Sequence, residues 1–185
     1  RLPAFTPLKF NFFDYKVMDN PNVVLRLSDD EIERGNRLLE EMGISPDDWF
    51  ICFQNRDSSY HHQMFGQDNI QKHRNCDIMT FLKAVQYVTE LGGAAIRVGS
   101  IVAEPLPELA NPRVIDYSSH WRTDFGDIFL PARCRFFLSS ATGNEFVSQL
   151  FNVPTASTNV ASGRPTPMRH HSLFTPKLIR DRTSN

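Results

Sequence analysis

The sequence predicts a single α/β domain built on a doubly wound, Rossmann-like parallel sheet of about five strands. Short apolar segments alternate with segments of helical period along the chain. The apolar segments are mostly continuous, as in strands buried on both faces, and polar residues follow most of them. Strands that alternate with helices form parallel sheets with right-handed crossovers, and ligands bind at the carboxyl ends of those strands.

Composition limits the classes of function. The 185 residues carry a net charge of −1, so we expect no general attraction to nucleic acid or to an anionic membrane. The three cysteines are dispersed without a C-x-x-C pair, which argues against a disulfide framework or a zinc site and favours a reducing compartment. No apolar run reaches the roughly 20 residues that span a bilayer. We therefore expect a cytoplasmic protein, either free or peripheral at the inner face of the membrane.

Changes in composition and in hydrophobic periodicity divide the chain into three predicted regions. Residues 1–22 are rich in Pro and Phe without a sustained period, and we predict an irregular linker or interdomain segment. Residues 23–160 form the predicted Rossmann-like domain. Residues 161–185 form a predicted tail that packs back or toward a missing N-terminal half. The predicted strands are 49–53, 94–98, 113–117, 135–138 and 153–156.

The predicted helices have start signals in the sequence. Ser28 and Glu31 fit a capping box ahead of the apolar positions Ile32, Leu38, Leu39 and Met42. Asp77 precedes a second helix. Further helices are expected from about residue 123 and after Gly143. Their inward positions are predicted to be Met79, Leu82, Val85, Val88 and Leu91, then Phe125, Ile128, Phe129 and Ala132, then Phe146, Val147, Leu150 and Phe151.

A long polar segment, residues 57–76, follows the first predicted strand. It is longer than most connections in a compact domain and shows neither a helical nor a strand period. We interpret it as a binding loop that is mobile without ligand and closes over it, the alternative being a passive disordered insertion. Its paired histidines, His61 and His62, like His170 and His171, are expected to be solvated, so no metal site is predicted.

The stretch 134–155 combines a predicted strand, a small polar loop and a predicted helix. Its loop brings hydroxyls and backbone N–H groups to a helix start, where phosphate groups bind readily. The alternative is that Ser140 or Thr142 only caps the helix. Similar polar groups follow the other predicted strands, so we expect them to meet at one edge of the sheet: Arg56-Asp57, Arg97 with Gly99 and Ser100, and Tyr117 to Ser119.

Two arginines, a hydroxyl-rich loop and one carboxylate suit a nucleoside diphosphate. Guanidinium groups bind phosphate oxygens in pairs, and Glu145 could accept hydrogen bonds from ribose hydroxyls. Each residue also has a structural alternative. Arg56 and Arg97 could pair with Asp57 or Glu104 at the surface, and Glu145 could only complement the helix dipole.

Over residues 49–180 the chain resembles a family of bacterial glycosyltransferases with a GT-B-like C-terminal nucleotide-sugar-binding domain. The resemblance is carried, in order, by WFICFQNRD, RNCDIMTFLKAV, LGGAAIRVGS, RVIDYSSHWRTDFGDIFLPARCRFFLSSATGNE and FNVPTASTN. It implies a metal-independent transferase without a cofactor, which uses a nucleotide diphosphate sugar as donor and a polysaccharide or glycoconjugate as acceptor. It also implies an N-terminal domain missing from this chain.

Transferred position by position, the resemblance assigns a donor site. Arg56 and Arg97 would face the donor phosphates, and Asp124 and Asp127 would lie nearby. The donor-binding set is completed by the loop after the fourth strand and the start of the next helix: Ser139, Ser140, Thr142, Gly143, Asn144 and Glu145.

Two positions depart from the family pattern. Gln54 stands where a histidine is frequent, and Ser100 stands where an acidic residue is frequent. An amide cannot act as a general base, so the catalytic residues stay unassigned. The alternative function is a non-catalytic nucleotide-binding or phosphosugar-binding module, or a protein-interaction domain of the same fold.

Overall fold

The computed structural model describes residues 24–66, 72–107, 109–161 and 169–178. The predicted linker, residues 1–22, lies outside these ranges. Six strands form one sheet in the order β3-β2-β1-β4-β5-β6, and every neighbouring pair is parallel. They are β1 (Phe50–Gln54), β2 (Ala94–Arg97), β3 (Val114–Asp116), β4 (Phe137–Ser139), β5 (Thr155–Val160) and β6 (Leu173–Pro176).

This arrangement confirms the predicted doubly wound parallel sheet. The sheet has six strands rather than about five, because β6, from the predicted tail, pairs with β5. The strand order reverses between β1 and β4, which are neighbours in the sheet although they are far apart in the chain. Crevices of doubly wound folds open at such a reversal, so the carboxyl ends of β1 and β4 are the expected position of a ligand.

Within the described residues, six α-helices connect or flank the strands. They are α1 (Asp29–Glu41), α2 (Ser59–Phe65), α3 (Leu82–Glu90), α4 (Tyr117–His120), α5 (Gly126–Arg133) and α6 (Asn144–Leu150), with 3₁₀ turns at Lys72–Arg74 and Ile78–Phe81. The predicted capping box at α1 is present. The Ser28 N–H donates to the Glu31 carboxylate at 2.7 Å, and the Glu31 N–H donates to the Ser28 hydroxyl at 3.3 Å.

The sheet is buried on both faces. Phe50 and Cys52 of β1 pack on one face with Leu39 of α1 and Phe129 of α5. The alternate residues of β1 pack on the other face against α3. Burial on both sides requires apolar side chains at successive strand positions, which explains the continuous apolar segments of the sequence.

Three of the predicted inward positions are wrong. Met79, Leu91 and Ile128 are exposed. Met79 lies in a 3₁₀ turn, whose repeat of three residues departs from the 3.6-residue period used for the prediction. Leu91 follows the last residue of α3, so it lies outside the helical face altogether.

The predicted apolar inner face of α6 is also wrong. Its buried residues are Glu145, Ser148 and Gln149, whereas Leu150 is exposed. The helix packs against β4 and β5, which present the hydroxyls of Ser139, Thr155 and Ser157 to it. Because the sheet surface under α6 is polar, the helix buries its polar side.

Candidate functional site

A cavity of about 340 Å³ opens at the carboxyl ends of β1 and β4. Four segments line it, and three of them lie at the end of a strand. They are Gln54 to Asp57 at the end of β1, Tyr60 and His61 of α2, Ser100 and Ile101 after β2, and Thr142 to Asn144 after β4. The cavity therefore occupies the position at which the strand order reverses.

Arg56 and the loop after β4 are joined by backbone and hydroxyl contacts. The Arg56 N–H donates to the Ser140 hydroxyl at 2.7 Å, and the Ser140 N–H donates to the Gln54 carbonyl at 3.2 Å. These contacts continue the pairing of β1 with β4 past the ends of both strands. They hold the Arg56 segment and the Thr142 segment on facing sides of the same cavity.

The capping alternative for Ser140 and Thr142 does not fit the geometry. Gly143 is the residue that precedes α6, and no side chain caps the helix there. The Ser140 hydroxyl accepts from Arg56 instead. The Thr142 hydroxyl is buried and has no hydrogen-bond partner within the described part of the chain. Thr142 therefore offers a free hydroxyl on a residue that lines the cavity.

The guanidinium of Arg56 is poorly compensated. Its Nε and Nη2 are buried without a hydrogen-bond partner among the residues that the structure describes. Burial lowers the pKa of Arg56, and the positive charge of Arg74 lowers it further, while the negative charge of Asp57 opposes both effects. Asp57, the nearest carboxylate in sequence, already accepts backbone N–H bonds at both oxygens, from Ser59 at 2.8 Å and from Ala103 at 3.0 Å. Buried cationic donors without partners favour an anionic ligand.

The segment 57–76 contains regular structure, which the sequence did not predict. It holds α2 and the 3₁₀ turn Lys72–Arg74. No residue of α2 is buried, so the helix shows no apolar period. Hydrogen bonds tie both ends of the segment together, as Asn75 donates to the Ser58 hydroxyl at 2.6 Å and the Cys76 N–H donates to the Arg56 carbonyl at 3.0 Å. Closure of this segment over a ligand stays a prediction.

Two solved structures share this fold. One is the ADP-heptose LPS heptosyltransferase II of E. coli, with a TM-score of 0.55, 11% identity, and coverage of 82% of this chain and 44% of that chain. The other is a family 9 glycosyl transferase of Veillonella parvula, with a TM-score of 0.54, 11% identity, and coverage of 83% and 41%.

The chain has the fold of a part of these GT-B glycosyltransferase structures. The predicted resemblance is thus confirmed at the level of the fold. The chain spans less than half the length of either of these structures. No protein-family model and no curated protein sequence matches the chain.

Within this GT-B fold, Arg97 does not lie among the residues that line the cavity. It is 1% exposed, its Nη1 donates to the Glu104 carbonyl at 2.6 Å, and the same nitrogen lies 3.5 Å from the Asp116 carboxylate. Arg97 and Asp116 are directly opposite each other on β2 and β3. The side chain is therefore part of a buried ion pair within the sheet.

Ser139 and Glu145 likewise do not line the cavity of the GT-B fold. The Glu145 carboxylate is buried and accepts hydrogen bonds from the hydroxyls of Ser139 and Ser157. Burial raises the pKa of Glu145, while these hydrogen bonds and the charge of Arg74 oppose the rise. These two hydrogen bonds connect α6 to β4 and to β5.

The two aspartates that the resemblance places nearby contact Arg122. Its Nη2 lies 2.9 Å from the Asp124 carboxylate and 2.9 Å from the Asp127 carboxylate. Asp127 also accepts from the Tyr117 hydroxyl at 3.2 Å. Burial raises the pKa of Tyr117 to about 12 and also raises the pKa of Asp127. This cluster holds the start of α5 and contributes no residue to the cavity.

The cavity also contains residues that sequence reasoning did not assign to it. They are Asn55, Tyr60, His61 and Ile101. Position alone could have identified Asn55, which directly follows β1. Tyr60 and His61 belong to the segment 57–76, which the sequence indicated as a binding loop, but the helix that places them was not predicted. Among the described helices, none is both long and apolar enough to cross a bilayer.

Proposed function

We propose that the cavity binds the diphosphate of a nucleotide-sugar donor, and that the chain is the donor-binding part of a metal-independent glycosyltransferase. The acceptor would be a polysaccharide or another glycoconjugate. The observation that carries the proposal is the Arg56 guanidinium, whose Nε and Nη2 are buried without partners beside a cavity. The fold supports it, since one structure of the same fold is an ADP-heptose heptosyltransferase, whose donor is a nucleotide diphosphate sugar.

The chemistry of the lining fits a diphosphate. A guanidinium presents two parallel N–H groups that match two phosphate oxygens, and charge-assisted bonds of this kind are among the strongest in proteins. The Thr142 hydroxyl, also without a partner among the described residues, can donate to a further oxygen. Arg74 interacts electrostatically with Arg56, and its positive charge adds to the attraction of the cavity for an anion.

Sugar transfer would place negative charge where these donors lie. As the bond between the sugar and the diphosphate breaks, charge accumulates on the departing phosphate oxygen. Hydrogen-bond donors fixed in a cavity stabilise this developing charge more than they stabilise the charge of the intact nucleotide sugar. This difference lowers the activation barrier of the transfer. Arg56 and Thr142 would act in this way without a metal ion.

One observation favours the non-catalytic alternative. Gln54 lines the cavity, and its Oε1 is buried without a partner in the described part of the chain. A side-chain amide can orient a ligand hydroxyl but does not exchange a proton at neutral pH. A module that binds a nucleotide without turning it over would need no more than this.

Calorimetry with ADP, UDP, GDP and CDP tests the binding. We expect at least one to bind, and Arg56→Ala to weaken it about ten- to a hundredfold, because hydrogen bonds to charged groups contribute about 1.5–3 kcal/mol. The affinity of Arg56→Lys should lie between those of the wild type and Arg56→Ala, since lysine keeps the charge but lacks the paired N–H groups of a guanidinium. Arg113→Ala is the matched control, because Arg113 bonds to the Gly92 carbonyl away from the cavity.

The outcomes separate the two functions. Absence of binding by the folded chain for all four nucleotides, or equal affinity in Arg56→Ala, would contradict a donor site. Binding together with release of nucleoside diphosphate from sugar donors supports a transferase. Binding without any such release, in a protein that includes the remaining length of the GT-B fold, supports the non-catalytic module.

A further inference from the structure

The first turn of α2 brings an imidazole to the cavity. His61 lines the same cavity as Arg56 and Thr142, and it is partly buried. Its ring contacts two aromatic rings of its own helix, with centroids 5.9 Å from Tyr60 and 5.7 Å from Phe65. We propose that His61 is the general base that accepts the proton of the acceptor hydroxyl, an inference that rests on the proposed donor site.

The other polar groups of the lining are less suited to this role. Asp57 accepts backbone N–H bonds at both carboxylate oxygens, which hold the start of α2 and Ala103 in place. A phenol such as that of Tyr60 ordinarily keeps its proton at neutral pH, and an amide such as that of Gln54 does not exchange one. An imidazole gains and loses a proton near neutrality. Of the groups that line the cavity, His61 alone combines this property with access to it.

The size of the cavity keeps the reacting groups close. A volume of about 340 Å³ is at the lower end of the range for ligand sites. A diphosphate held by Arg56 and Thr142 would occupy much of it. The sugar attached to that diphosphate would then lie close to the remaining lining, which includes His61.

The step balances as a displacement. The acceptor oxygen forms a bond to the anomeric carbon, and the bond from that carbon to the diphosphate oxygen breaks. The electron pair leaves with the diphosphate, whose charge Arg56 stabilises, and the acceptor proton moves to the imidazole of His61. The imidazolium then returns its proton to water. No oxidant or metal is required.

A bound diphosphate would bias this transfer in one direction. Arg56 and Asp57, both from the segment after β1, line the cavity with His61, and Tyr60 adjoins it on α2. The negative charge of a diphosphate bound among these residues would favour an imidazolium. Donor binding would therefore prepare His61 to accept a proton.

His62 provides a matched control one position further along the same helix. It lines a separate surface depression with Ser58, Ser59, Gln63, Ile101 and Val102. It is absent from the lining of the donor cavity. Both substitutions lie on α2, at adjacent positions, so that differences between the two variants report on the cavity.

The first test is a histidine NMR titration of the chain with and without each nucleoside diphosphate. Saturation with a nucleoside diphosphate should move the titration midpoint of the His61 imidazole about one pH unit higher. The midpoint of His62 should not move. His61→Asn and His62→Asn assign the two signals. A diphosphate that binds and leaves the His61 signal unchanged would overturn the inference while leaving the donor site intact.

The second test measures release of diphosphate from sugar donors as a function of pH, in a protein that includes the remaining length of the GT-B fold and with an acceptor present. His61→Asn should lower the rate about 10²- to 10⁴-fold and remove its decline on the acidic side. At alkaline pH, where an imidazole is neutral, it should keep the nucleotide affinity of the wild type. His62→Asn should retain both rate and pH profile. Wild-type rate and profile in His61→Asn, or binding without any turnover by the wild type, would overturn the assignment. Failure of all nucleotides to bind would overturn the donor site as well.

Discussion

The backbone N–H of Arg56 and the hydroxyl of Ser140 form a 2.7 Å hydrogen bond between residues 84 positions apart. It joins the segment after β1 to the loop after β4, beyond the last strand pairing of Gln54 with Ser139. The relationship sets the distance between the arginine and the loop that contains Thr142. The geometry of the cavity thus depends on a hydroxyl that does not line it.

We predict that Ser140→Ala lowers stability by about 1–3 kcal/mol, because it leaves the Arg56 N–H without its acceptor. Nucleotide affinity should also fall several-fold, as the two sides of the cavity lose their alignment. Urea unfolding and calorimetry measure the two effects. Ser45→Ala is the control, since the Ser45 hydroxyl accepts only a long, exposed bond from the Asp47 N–H. Unchanged affinity in Ser140→Ala would separate this bond from the site.

Arg97 should matter for stability and not for binding. We predict that Arg97→Ala lowers the free energy of unfolding by up to about 3–5 kcal/mol, because the buried Asp116 carboxylate loses its cationic partner. That carboxylate keeps the hydrogen bonds from the Leu106 N–H and the Ser119 hydroxyl. Folded Arg97→Ala should bind nucleoside diphosphate as the wild type does. Arg56→Ala should show the opposite pattern, weak binding with little loss of stability. A large loss of affinity in folded Arg97→Ala would place Arg97 in the donor site after all.

Gly35 allows α1 to pack closely on α5. A Cβ at this position would lie 1.9 Å from the Phe129 ring. Alanine stabilises a helix by about 0.5–1 kcal/mol relative to glycine, whereas overpacking a core destabilises the folded state by about 1–3 kcal/mol. We therefore predict a net loss of stability in Gly35→Ala. Adding Phe129→Leu should recover part of it in thermal or urea unfolding. A stabilised single variant would show that α1 can move away from Phe129 at little cost.

Glu145 should give stability a definite pH dependence. Burial raises its pKa in the folded protein above the ordinary value of 4.5, so the folded state holds the proton more tightly than the unfolded chain. The stabilising contribution is complete below pH 4.5 and is lost as pH rises through the folded value. Glu145→Gln should remove this decline from urea unfolding curves measured across that range. A decline of the same size in the variant would assign it to another group.

The strands in the middle of the sheet were predictable from their composition. Burial on both faces leaves a continuous apolar run in β1, which needs no knowledge of the rest of the fold. β6 was missed for the opposite reason. It lies at the sheet edge with Leu173 72% exposed and ends in a proline, so it carries neither an apolar run nor an alternation.

The rule that ligands bind at strand ends selected both Arg56, which lines the cavity, and Arg97, which does not. The two differ by their position relative to the strand. Arg97 is the last residue of β2, so the pleat directs its side chain to a face of the sheet, where Asp116 lies in register. Arg56 lies two positions beyond β1, where the backbone is free of that constraint. A shift of two residues at a strand end was beyond the accuracy of the sequence prediction.

The polar interface under α6 limits how the neighbouring loop can vary. Apolar contacts tolerate small sliding of a helix, whereas the bonds from Ser139 and Ser157 to Glu145 are satisfied at one position only. The residues 140–143 span a fixed gap between β4 and this anchored helix. Side-chain substitutions within residues 140–143 are therefore compatible with this interface, whereas an insertion or deletion there would displace α6 from its bonds to Ser139 and Ser157.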